Sequence, residues 1–179
     1  VNTSIDINDQ PSEIRYPRGA GIGVELPSID EKIEIGKGRV VQKGTQVCLI
    51  SLGTRLEECK LASEELKAKG ISVTIIDARF AKPLDENLIL NCAKEHEVMI
   101  TIEEGSSGGF GAHVLMHLAE RGILDNGFKV RNLYLPDIFI QQGDANDMYA
   151  QAGLNSENIV KTALRVFGIN NNEFKVIKP

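Results

Sequence analysis

The chain has 179 residues, 42% hydrophobic and 25% charged, with a net charge of −5, which suits one globular domain with a buried core and short extensions. The acidic balance, with 5% aromatic residues and no Trp, lacks the positive field and stacking platforms that nucleic-acid binding requires. No window holds the ~18 apolar residues of a membrane span and no basic-then-apolar leader opens the chain, so neither nucleic acid nor membrane is expected as a partner.

In chain order, the first residue is Val1 rather than Met, and the opening NDQPSEIRYPRG begins without a nucleating element before it, so the sequence reads as excised from a longer chain. Residues 19–34 are rich in Gly and Pro (GAGIGVELPSID) without sustained period and suit an interdomain linker. Gly38 to Lys43 (GRVVQK) is a strand candidate, and Gly44-Thr45 locally reads as the turn of an antiparallel hairpin joining it to the next strand. That next strand, Gln46 to Leu52, is a continuous apolar run of the kind buried on both faces. Thr54 is the expected cap of a helix whose Leu56, Cys59, Leu61, Ala62, Leu66 and Ala68 recur at helical spacing until Gly70. Ser72 to Arg79 is a further strand, followed beyond Lys82-Pro83 by a helix opening at Asp85 and Glu86 and running to about His96. Val98 to Ile102 is a strand, Glu103 to Gly109 a glycine-rich turn, and Phe110 to Glu120 a helix expected to turn Val114, Leu115 and Leu118 inward. A strand over about Lys129 to Leu135 and helices over Ala145 to Ala152 and Glu157 to Phe167 complete the pattern, with a mobile tail at 169–179. Strands alternating with helices predict parallel pairing through right-handed crossovers, with helices on both faces of the sheet. The antiparallel strand would make that sheet mixed.

Several motifs carry candidate chemistry. Cys48, Cys59 and Cys92 have no metal-type spacing and read as separate buried, reduced thiols of a cytosol-like compartment. Gly105 to Gly109 (GSSGG) satisfies G-x-S-x-G between a strand and a helix, with Ser107 as the would-be nucleophile. A hydrolase of that fold needs its histidine on a later loop, yet His113 and His117 lie on the helix that follows at once. The dinucleotide fingerprint fails as well, because Val114 and Val24 stand where its third glycine is required. The glycines are better read as a tight turn off a strand end that lets a helix pack close. His113 and His117 could share a metal by their spacing, but no third ligand is evident. Glu103 and Glu104 leave a strand at its carboxyl end, where open α/β sheets place functional groups. As neighbours on a strand they face opposite ways, which favours capping or interface roles over a catalytic dyad. Lys32, Lys37, Arg39 and Lys43 read as a solvated strand face. The strongest candidate is Arg18 in Arg15-Tyr16-Pro17-Arg18-Gly19, a guanidinium beside a rigid Pro and a permissive Gly, able to grip a phosphate or carboxylate.

Taken in order, NDQPSEIRYPRGAGIGVELP, EIGKGRVVQKGTQVCLISLGT, DARFAKPLDENLI, ITIEEGSSGGFGAHV, LPDIFIQQG and YAQAGL resemble the closing stretch of 1-deoxy-D-xylulose-5-phosphate synthases. The beta subunits of 2-oxoacid dehydrogenase decarboxylases share versions of IGKG and GGFG and are the alternative, whereas FAKPLD, IEEG and LPDIFI favour the synthase. The resemblance implies a three-layer α/β/α domain on a mixed, mostly parallel five-stranded sheet whose antiparallel strand lies beside the third strand. It implies a homodimeric, thiamine diphosphate- and Mg2+-dependent transferase that condenses pyruvate with glyceraldehyde 3-phosphate and releases CO2, feeding isoprenoid and thiamine biosynthesis. It places residues 1–18 at the end of the pyrimidine-binding domain and 35–168 in a transketolase C-terminal-like domain. The cofactor and metal ligands would lie in upstream domains, leaving none in this chain and no catalytic residue. Arg18 matches the arginine of the family's YPRG stretch and is expected to bind substrate. Localisation would be cytoplasmic in bacteria, or the plastid stroma in a plastid-bearing source.

Overall fold

In the computed structural model, which describes residues 1–17, 21, 23–25, 27–28 and 30–169, the apolar run Val47–Leu52 becomes the central strand β2. All of its residues but Leu52 are buried, as a strand covered on both faces requires. The remaining strands are β1 (Arg39–Gln42), β3 (Val73–Asp77), β4 (Val98–Glu103) and β5 (Lys129–Leu133), in the sheet order β1-β3-β2-β4-β5. β2, β3, β4 and β5 run parallel, and β1 pairs antiparallel with β3.

The mixed sheet is as expected, but the hairpin is not. β1 does not pair with its sequence neighbour β2, because both edges of β2 are taken by parallel partners. The chain instead descends along the far side of β3, crosses beneath its start and rises as β2. Gly44 makes that crossing: its N–H donates to Thr74 Oγ1 at 2.8 Å, and a Cβ there would lie 2.3 Å from the Val73 carbonyl carbon. Thr45 N donates to Ser72 Oγ and Gln46 N to the Ser72 carbonyl, fixing the crossing in place.

Helices α1 (Leu56–Ala68), α2 (Glu86–Glu95) and α3 (Phe110–Glu120) follow β2, β3 and β4, and α4 (Ala145–Ala152) and α5 (Ser156–Val166) come last. Alternation along the strands feeds two cores. Val47, Leu49, Ile75 and Ile100 pack with Leu66 of α1 and Leu164 of α5, while Cys48, Ile50, Ile76 and Met99 pack with Ile89 of α2 and Leu118 of α3. The result is the expected three-layer α/β/α architecture, each buried Leu or Ile stabilising it by about 1.5–3 kcal/mol. Asp85 caps α2 by accepting from Leu88 N at 3.2 Å. Gly70, at φ 80°, ends α1 while Ile71 N reaches back to the Leu66 carbonyl.

One inward expectation fails. Val114 and Leu118 of α3 are buried, whereas Leu115 is 38% exposed; one residue further round than Val114, it leaves the stripe that meets β4. Two short 3-10 turns, Ser4–Asp6 and Ile123–Asn126, were not indicated by periodicity. The tail expected from Asn170 lies outside the described residues.

Gly44→Ala must push the Val73 backbone aside, and is expected to cost about 1–3 kcal/mol in urea-denaturation stability. A loss within experimental error would show that the crossing is not tight.

Candidate functional site at the sheet's carboxyl end

The direction of travel reverses between β2 and β4. From β2 the chain leaves across one face, through α1, toward β3; from β4 it leaves across the other, through α3, toward β5. The two turns diverge, and the strand ends frame the crevice where open α/β sheets place ligands.

Glu104 forms one wall of it. Its Oε1 accepts from Arg55 Nε at 2.8 Å and from Thr54 Oγ1. The Arg55 guanidinium also stacks on Tyr149 of α4, 3.5 Å from the ring centroid, and its side chain is only 11% exposed. Burial, and then the Glu104 carboxylate, raise the Tyr149 phenol above its ordinary value, so it stays protonated well into alkaline conditions. Thr54, expected to cap α1, spends its hydroxyl on Glu104 instead; Arg55 occupies the cap position and no side chain caps the helix. The crevice is thus filled by the protein's own ion pair and aromatic ring.

Glu103 points to the opposite face, as neighbouring strand residues must. It is 4% exposed and accepts from Phe110 N at 3.0 Å and Gly111 N at 2.8 Å, capping α3. The capping role expected of the glutamate pair is therefore met by Glu103. It also explains the glycines: a Cβ on Gly105 or Gly109 would come within 2.2 or 2.5 Å of Glu103 Oε2. GSSGG cradles a carboxylate of the same chain. Ser107 sits exposed on that turn, and among the described residues it makes no hydrogen bond to a histidine. His117 is buried against α2, with Nδ1 3.9 Å from Glu86 Oε2 and Nε2 unpartnered, while His113 is half-buried. These two are not part of the donor cluster found among the described residues, which comprises Cys48, Cys92 and His96.

The other expected residues are scattered. Arg18 lies outside the described residues. All three cysteines are buried and free, and burial pushes the Cys59 thiol up to about 12. Of the four basic residues read as one solvated face, only Arg39 is in β1, where it pairs with Asp77 at 3.0 Å; Lys32 pairs with Asp6, and Lys37 lies 3.7 Å from Asp85. A depression lined by Gly38, Ile50, Ile76, Phe80 and Phe110 among others has room for about one water molecule. No helix among the described residues is long and apolar enough to cross a membrane.

A family model described as transketolase, C-terminal domain, matches residues 36–159. A solved structure described as a split gene transketolase, inactive beta4 tetramer, is similar at a TM-score of 0.71 and 25% identity, covering 82% of this chain and 47% of that one. Transketolase from Campylobacter jejuni shares the fold at a TM-score of 0.53 and 15% identity, over 73% of this chain and 18% of that one. The chain thus spans about half the length of the first and under a fifth of the second.

Arg55→Ala and Glu104→Gln are each expected to destabilise by about 1–3 kcal/mol and to be non-additive in a double-mutant cycle. Glu104→Gln also removes a negative neighbour from Tyr149, so its phenol should ionise at lower pH in an absorbance titration. An unchanged titration would show that Glu104 does not reach it.

Proposed function

Because the chain belongs to the transketolase C-terminal domain family, we propose that it is the C-terminal part of a 1-deoxy-D-xylulose-5-phosphate synthase and that its own work is to support and assemble that enzyme. The ordered motifs from EIRYPRG to YAQAGL support the synthase over other members of the family. The supporting role rests chiefly on one observation: the crevice that a catalytic α/β sheet would keep open is filled here by Arg55, Glu104 and Tyr149.

In the proposed enzyme pyruvate loses CO2, and the remaining two carbons join glyceraldehyde 3-phosphate. Bound thiamine diphosphate supplies the electron sink for the decarboxylation. The described residues do not fit its partner Mg2+, which takes hard oxygen ligands, since their donor cluster is two thiols and an imidazole. The resemblance to the synthases implies that both groups are held by upstream domains of the complete enzyme. Arg18 is the residue of this chain proposed to meet substrate, its guanidinium pairing with the phosphate of the aldehyde or the carboxylate of pyruvate. Homodimerisation would cover the apolar Ile138 and Phe139, 50% and 104% exposed after β5. The beta4 assembly of the similar split-gene transketolase supports an assembling role.

Calorimetric titration of this chain with thiamine diphosphate and Mg2+ is expected to give no saturable heat, and addition of the upstream polypeptide is expected to restore product formation. Tight cofactor binding by the chain alone would refute the supporting role. In the complete enzyme, Arg18→Ala should lower kcat/KM for the phosphorylated aldehyde about 10- to 150-fold, the equivalent of ~1.5–3 kcal/mol for one charge-assisted contact. An unaltered kcat/KM would remove Arg18 from the substrate site.

A further inference from the structure

Away from the crevice, on the α2–α3 side of the sheet, a group of reactive side chains has no part in the proposed reaction. Cys48, in β2, is flanked in register by Thr74 of β3 and Met99 of β4. α2 covers it with Cys92, and His96 follows at the end of that helix. The two sulfurs and a ring nitrogen of His96 all lie within 4.8 Å of one another, and the residues are 0%, 4% and 7% exposed.

The imidazole is already oriented. Nδ1 lies 2.8 Å from the Cys92 carbonyl oxygen, and Nε2 lies 2.7 Å from Thr74 Oγ1. A carbonyl can only accept, so Nδ1 carries the hydrogen and Nε2 keeps a lone pair beside the strand neighbour of Cys48. The Thr74 hydroxyl has a second acceptor in the Gly44 carbonyl at 3.1 Å, so it can turn away without stranding its proton. An imidazole whose far N–H is held by a backbone carbonyl is the arrangement that metal-ligating histidines adopt.

We propose that Cys48, Cys92 and His96 form a closed site for one soft monovalent ion of the Cu(I) class, held by the two cysteine sulfurs, one of them as thiolate, and by His96 through Nε2. Sulfur and imidazole donors select such an ion. The enclosure leaves no position for the water that zinc keeps when it has three protein ligands. Charge points the same way. Binding sends one thiol proton to solvent, and the ion with one thiolate then adds no net charge to the buried core. The metal keeps its oxidation state throughout.

The test is an anaerobic titration of the reduced chain against Cu(I) held by bathocuproine disulfonate, read by loss of the chelate's colour. One Cu(I) per chain is expected, bound at least about tenfold more weakly by Cys92→Ser and by His96→Gln, since loss of a ligand costs no less than the ~10–100-fold of a lost outer-shell partner. Cys59→Ser, altered in the core on the opposite face of the sheet, should bind as the unsubstituted chain does. X-ray absorption should show both sulfur and nitrogen at the metal. Unsaturable transfer, an unchanged affinity in Cys92→Ser, or one-to-one uptake of Zn(II) in preference to Cu(I) would each overturn the proposal. If Cys92→Ser does not fold, the stoichiometry and spectrum of the unsubstituted chain decide the matter.

Discussion

At the end of β4 two consecutive carboxylates face opposite layers, and the carboxyl end of the sheet is shaped by how each is neutralised. Glu103 enters the α2–α3 layer with backbone donors as its partners, so α3 must begin directly over it, where the helix dipole also favours a negative charge. The turn between them must be almost free of side chains, which fixes Gly105 and Gly109. The same close approach continues into the helix, where a Cβ on Gly111 would lie 2.5 Å from Thr101 Oγ1, and that hydroxyl ties β4 to Asn132 of β5 at 2.9 Å. Glu104, facing the other layer, draws in Arg55 from the turn after β2 and Tyr149 from α4. A single dipeptide thereby ties the end of β4 to the start of α3 and to two segments distant in sequence, the turn after β2 and α4.

Much of this was legible in the residues. The central strands announced themselves because a strand covered on both faces has no polar alternation: Val47–Leu52 and Val73–Asp77 fall within the expected segments, and Val98–Glu103 runs one residue past its own. The stops at Gly70 and Gly153 could be anticipated because both adopt the left-handed conformation that glycine tolerates best. Long-range partner choice was not legible. β1 looks like half of a hairpin to its neighbour, and only the occupancy of both edges of β2 sends it to β3. Thr54 has every local qualification for a cap, but a carboxylate brought in from β4 competes for its hydroxyl. The GSSGG turn was correctly read as tight, yet the group it encloses cannot be inferred without knowing which way Glu103 points.

The site residues divide along the same line. Arg18 was proposed from a local pattern, a guanidinium beside Pro and Gly, together with the family resemblance, and it lies outside the described residues. Arg55 carried a weaker signal, its position two residues past the Gly that ends the central strand, where α/β folds concentrate function. Tyr149 and the Cys48, Cys92 and His96 grouping carried none, since each depends on a helix being laid across the sheet. A fold shared by many enzymes does not fix what any one of them does; here the distinguishing chemistry lies in which side chains close the crevice and which thiols meet beneath α2.

The placement of β1 has a mechanical side. β1 has only four residues, and Val40 and Val41 are 41% and 38% exposed. Its anchors at the leading end are the Gly38 N–H on Asp85 and the Arg39 guanidinium on Asp77. Tension arriving from residues before 38 therefore reaches the sheet through its shallowest strand, which can peel from β3 while the parallel core behind it stays intact. Opening at this edge would leave the pairing of β2 with β3 and β4 untouched.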